Sequence, residues 1–184
     1  MEDIYLVEKR TLQMWKAVTV RCLPKFWVKH PTYTDCSLST TFEDYGLFRK
    51  WCQKQVGFDK IDEKGNRWQL DKDLLIKGNR LYGEDTCVFL PAKINLLLTK
   101  RNSCRGDLPL GVTKGKREGR FRASCNDGEG NHKHLCYFDT PLEAFSAYKM
   151  FKEAVVKLTA EKYKSQLDPR PYEALMNYEV EITD

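Results

Sequence analysis

The sequence predicts an α+β protein in two parts. An N-terminal helical region leads into a strand–turn–strand–helix core, and a three-stranded antiparallel sheet packed on one long helix follows. Three observations carry this. WQLDKDLLI (68–76) and CVFL (87–90) read as strands around a KGN turn, with PAKINLLLTKR after them as a helix opened by proline. LPLGVTKGK, GRFRASCND and HKHLCYF are short strand-like runs separated by Gly-rich basic turns. DTPLEAF then has the signature of a helix start: Thr140 as N-cap, Pro141 at the first helical position, Glu143 closing a capping box.

The elements follow in order. Residues 5–22 place Leu6, Leu12, Trp15 and Val18 at roughly helical spacing. Pro24 and Pro31 are expected to break the chain into loop as far as Tyr33. A helix is expected from Thr41, as cap, to Gly57, with Phe42, Tyr45, Phe48, Trp51 and Cys52 on one face. Leu81-Tyr82 starts a short return segment before the second strand. The composition change at RNSCRGDLP sets a linker at 101–109, dividing a domain of residues 1–100 from one of 110–184. The long helix runs to about Ser165, with Leu142, Phe145, Tyr148, Phe151, Val155 and Leu158 as its apolar stripe. Asp168-Pro169 ends it, and a short helix and acidic tail follow.

Hydrophobic residues make up 41% and charged residues 31%, enough of each for a soluble chain with a core. The longest apolar runs, such as 94–98, are far too short to span a bilayer, so no membrane partner is expected. Met1-Glu2-Asp3 is acidic and no apolar segment follows, so a cytoplasmic location is expected. Seven cysteines without a C-x-x-C pair argue against a disulfide framework or a zinc ribbon and for reduced thiols. His132 and His134 with Cys125 and Cys136 match no zinc spacing.

The net charge of +5 is uneven, because residues 100–122 concentrate Lys and Arg. Such a stretch suits phosphate contact through counterion release, and it also suits a solvated surface. Strand alternation in RFRAS places Arg120, Arg122 and Ser124 on one face and Phe121 and Ala123 on the other. A β-ribbon fits the DNA major groove. Arg120 and Arg122 are therefore candidates for base edges or phosphate, and Lys114, Lys116 and Arg117 in the turn are candidates for phosphate. His134 is a candidate for the same face. In the other half, alternation gives Asp71 and Asp73 a shared face that suits one divalent metal or a plain hydrophilic sheet surface.

LPLGV, GRFRASC and HLCYFDTPLEAFSAY resemble the apetala-two/ethylene-response-factor type of DNA-binding domain, over about residues 105–158. Gly111-Val112, the Phe138-Asp139-Thr140 corner and Glu143-Ala144…Ala147-Tyr148 carry the resemblance, while Cys136 stands where that family usually has glycine. The resemblance implies a sheet face that enters the major groove of double-stranded DNA. PTYTDCSLS, FEDYGLFRKWCQKQ and WQLDKDLLIKGNRLYGEDTCVFLPAKIN resemble phage HNH homing-type endonucleases that carry this domain at their C-terminus, which implies an HNH-like ββα core and a bacterial host cytoplasm. It also implies a divalent metal, Mg²⁺ or Mn²⁺, held by an aspartate while a neighbouring histidine activates water. Asp71 falls at the ligand position with Asp73 beside it, but Lys72 stands where the base is expected. Thr86 replaces an expected asparagine; Asn79 and Asn95 remain. Lysine is a poor base near neutral pH unless burial lowers its pKa, and Lys72 could bind phosphate instead. His30, in WVKHPTY, is the remaining candidate base. The sequence leaves three outcomes open: a metal-dependent DNA endonuclease, a catalytically decayed DNA-binding regulator, and an anti-defence, anti-CRISPR-like inhibitor of a host nucleoprotein.

Overall fold

Helix α1 (Glu2–Arg21) buries Thr11 and Val18 and sends Arg10 across the Phe58 ring, 4.6 Å from its centroid. Arg10 also donates to the carbonyls of Phe58 and Trp68, and Trp15 Nε1 donates to Phe42 O at 2.8 Å. This is seen in a computed structural model that describes residues 2–99 and 107–184. The chain divides into two units, Met1–Pro91 and Ala92–Asp184. Most of the stretch expected as a linker lies outside the described residues.

In the first unit both prolines open short helices. Pro24 begins α2 (Pro24–Trp27), and Pro31 begins a 3-10 turn (Pro31–Tyr33). A proline has no N–H to lose at a helix start, so it initiates as readily as it breaks. The single helix expected from Thr41 to Gly57 is two. Ser39, not Thr41, caps α3 (Thr40–Glu43), accepting the Phe42 N–H at 3.3 Å. Asp44 leaves helical geometry and accepts the Leu47 N–H at 2.8 Å, opening α4 (Tyr45–Lys54). Two good cap residues five apart interrupt the apolar periodicity without moving its face. Phe42, Phe48 and Trp51 still point inward, and Trp51 meets Phe89 at 6.0 Å between ring centroids.

Strand β1 (Ser37–Leu38) pairs in parallel with β3 (Leu81–Tyr82). Strand β2 (Gln69–Asp71) pairs antiparallel with β4 (Val88–Leu90), Leu70 opposite Phe89 and Asp71 opposite Val88. All of β4 is buried, as a central apolar run should be. The expected strand over 68–76 stops at Asp71, for the reason given with the site below.

In the second unit α5 (Ala92–Leu98) buries Ile94 and Leu97. Strands β5 (Val112–Lys114), β6 (Phe121–Asn126) and β7 (His132–Phe138) form one antiparallel sheet in that order. Helix α6 (Pro141–Tyr163) starts with the expected Thr140–Glu143 capping box and lays Ala144, Phe145 and Tyr148 against Val112, Ala123 and Cys125. Buried Lys152 on α6 donates to Leu97 O of α5. Asp168 caps α7 (Pro169–Met176). The tail returns to α6, where Lys149 Nζ donates to Val180 O and Glu153 Oε1 accepts the Val180 N–H, each at 2.8 Å. The molecule is thus mixed α+β with a three-stranded antiparallel sheet on a long helix. Among the described residues, no helix is long and apolar enough to cross a membrane.

Candidate nucleic-acid interface

Strand β6 divides its side chains as alternation requires. Phe121, Ala123 and Cys125 enter the core, leaving Arg122, Ser124 and Asn126 to the outer face. Register then builds that face. Arg122 lies between Thr113 of β5 and Tyr137 of β7, Ser124 lies opposite His134, and Asn126 opposite His132. A β-bulge opposite Ala123 and Ser124 inserts Leu135. Strict alternation along HKHLCYF would put Tyr137 on the opposite face from His134. The extra residue restores Phe138 to the core and places Tyr137 beside His134, ring centroids 4.7 Å apart. Sequence reasoning missed Thr113, Tyr137, Asn126 and His132. The available signal was that Phe138 and Phe121 must share the core side.

The predicted contact residues differ in what they can offer. Arg122 Nε is buried and has no hydrogen-bond partner among the described residues. A buried donor in that condition is costly to leave unmet. Arg120 is already engaged: it pairs with Asp139 Oδ1 at 2.6 Å and donates to Tyr137 O at 3.0 Å. Ser124 is 6% exposed, so it cannot lead a contact. Lys114 ends β5, and Lys116 and Arg117 are exposed at the hairpin tip, which closes through the Gly115 N–H to Arg120 O at 2.7 Å. His134 is exposed. Cys136 is exposed and Cys125 buried, so these two thiols do not converge with the histidines on one site.

In the first unit, DKD does not continue a strand. Asp71 Oδ1 accepts the N–H groups of Asp73 at 3.0 Å and Leu74 at 2.8 Å, folding the chain into a turn. Burial pushes the Asp71 carboxyl above its ordinary range, against the pull of those N–H groups. Lys72 turns inward and is only 6% exposed. Its ammonium pairs with Asp73 Oδ1, donates to Asn79 O at 2.8 Å and sits 5.6 Å from the Tyr82 ring centroid. Asn79 answers by donating to Lys72 O at 2.7 Å, so the two residues lock the 72–79 loop reciprocally. Thr86 is buried and closes its own turn through Leu81 O and the Gly83 N–H. His30 is exposed and stacks on Phe26 at 4.2 Å.

The donor set does not fit a resident divalent metal. One Asp71 oxygen is spent on the backbone, and Asp73 already holds the Lys72 ammonium. Among the described residues no group of three His, Cys, Asp or Glu side chains could hold an ion. Burial pushes the Cys87 thiol near this segment, and the Cys52 thiol beside it, up to about 12.

No family model, curated protein or solved structure matches this chain.

Proposed function

We propose that the protein binds double-stranded DNA through the outer face of the β5–β6–β7 sheet, as a relative of HNH homing-type endonucleases that has lost ordinary hydrolytic chemistry. The observation that carries the reading is Arg122, a guanidinium at the centre of that face whose buried Nε lacks a partner among the described residues. Through its terminal nitrogens, an arginine at this position can read a guanine edge in the major groove or hold a phosphate. Lys114, Lys116 and Arg117 support it as phosphate contacts beside the sheet. Loss of hydrolysis is supported by Lys72. A general base needs a lone pair, and an ammonium paired with Asp73 and donating to a carbonyl has none to offer.

Fluorescence anisotropy with a mixed-sequence duplex across a salt series tests the binding. Arg122→Ala should lower affinity by about tenfold or more and reduce the salt slope by about one. Unchanged affinity overturns the assignment. Plasmid nicking with Mg²⁺ or Mn²⁺ tests the chemistry. Wild type, Asp71→Ala and His30→Ala should all nick at the background rate; a wild-type rate abolished by Asp71→Ala restores the metal-dependent endonuclease.

A further inference from the structure

The longest run of the chain without a carboxylate is residues 9–34, between Glu8 and Asp35. It carries Lys9, Arg10, Lys16, Arg21, Lys25 and Lys29, and His30 besides. A surface built only for solubility intersperses the two signs of charge. Arg10 is spent inside the first unit, but the far end of the run gathers its cations in one place. Lys25 lies in α2, and the helical turn continues past it, the His30 N–H donating to Phe26 O at 3.1 Å. Lys25 and Lys29 therefore sit one turn apart on one side. Phe26 and His30 sit one turn apart on the adjoining side, their rings stacked at 4.2 Å. Tyr33 meets Phe26 edge-on at 5.6 Å, and the Arg21 guanidinium lies over the Tyr33 ring at 5.4 Å. Arg80 reaches the same segment, donating to Thr32 O at 2.6 Å.

These cations are met by neutral groups. Arg21 donates to the Tyr82 hydroxyl and Arg80 to a carbonyl. Among the described residues, none of Arg21, Lys25, Lys29 and Arg80 pairs with a carboxylate. Lys25, Lys29, His30 and Arg80 are exposed. Cations without counter-charge, fixed by a row of stacked rings, suit a polyanion. We infer that the segment around α2 is a second phosphate-contact surface for DNA, led by Lys25 and Lys29 with Arg80 beside them. It rests on the reading above only in taking DNA as the partner, because all of its residues lie in the first unit and none on the sheet face. Phe26 and Tyr33 are half-buried in the stack, so they hold the cations in place rather than present a broad apolar face to a bilayer. Contact through phosphate adds affinity without sequence preference.

Anisotropy of the full-length protein with mixed-sequence duplexes, across a salt series, tests this. Lys25→Ala combined with Lys29→Ala should weaken binding about tenfold at low salt and reduce the salt slope by about two, equally on duplexes of different sequence. Lys50→Ala combined with Lys54→Ala is the control. These lysines are exposed one turn apart on α4, so the same charge is removed elsewhere and the slope should not change. All four positions are exposed, so circular dichroism spectra should match wild type. An unchanged slope for the Lys25 and Lys29 variant overturns the proposal. So does an equal loss from both pairs, because net charge alone would then account for it. Arg122→Ala keeps the two surfaces apart. If it binds normally while the Lys25 and Lys29 variant is weakened, the sheet assignment falls and this one stands; the reverse result overturns this one alone. Cosedimentation with phosphatidylserine vesicles that needs Lys25 and Lys29, where DNA affinity does not, assigns the surface to lipid and overturns it too.

Discussion

Gly111 is held where no side chain fits. Its φ is +78°, and a Cβ built on it would lie 2.0 Å from Cδ2 of the Tyr148 ring. The Gly111-Val112 and Ala147-Tyr148 signatures, recognised separately in the sequence, are therefore two halves of one contact. Gly111→Ala must either displace the tyrosine from the sheet or distort the entry to β5, at a cost of about 3 kcal/mol. Gly119 has a similar φ of +72° and open space around it, so Gly119→Ala should cost only about 1 kcal/mol of backbone strain. Urea midpoints for the two variants check the contrast; equal shifts would show that backbone conformation, not the ring, fixes Gly111. Lys72 carries the opposite lesson at this scale. Its neighbours in sequence are charged, and only the fold reveals that it points inward to Asn79 O.

Among the elements, the β6–β7 hairpin has a charged anchor. Glu129, in its loop, accepts from Lys162 of α6 at 2.8 Å and from Lys93 of α5 at 2.6 Å. These two ammonium groups hold its carboxyl down at about 2. A carboxylate depressed in the folded state contributes stability above its unfolded pKa of about 4.3 and loses it as pH falls from there through about 2. Thermal melts from near neutral pH into that acid range should show Glu129→Gln lacking part of the wild-type decline, and high salt should shrink the difference. A wild-type and variant pair that decline in parallel would mean the bridge is without thermodynamic effect.

For the whole molecule, legibility tracked how local each feature is. The α6 capping box, the end of α6 before Asp168-Pro169 and the three strands of the second unit are written in adjacent residues, and the structure has all of them. The parallel β1–β3 pairing joins residues more than forty positions apart through two-residue strands, too short for periodicity to register. The split between α3 and α4 hid because Ser39 and Asp44 interrupt the helix while the aromatic face runs on. At the candidate DNA face, alternation placed Arg122 and Ser124 correctly, but the bulge at Leu135 brought in Tyr137, and nothing local marks a bulge. Arg120 is a candidate contact from sequence alone because its partner, Asp139, lies across a strand pairing. In the DKD segment the period-two pattern was genuine for one residue only. Asp71 is the point where a side chain outcompetes the partner strand for backbone N–H groups.

Each unit also carries the same small closure, Asp-x-x-Gly-Asn, at 62–66 and 127–131. In both, the aspartate Oδ1 accepts N–H groups two and four residues on, its Oδ2 accepts from the asparagine side chain, and its N–H donates to the asparagine carbonyl. Ile61 and Arg67 bridge across the first, and β6 and β7 extend from the second. The consequence concerns folding order. Ends separated by so few residues meet quickly and at little entropic cost, so each half of the chain has a place where its β-structure can begin without waiting for its core.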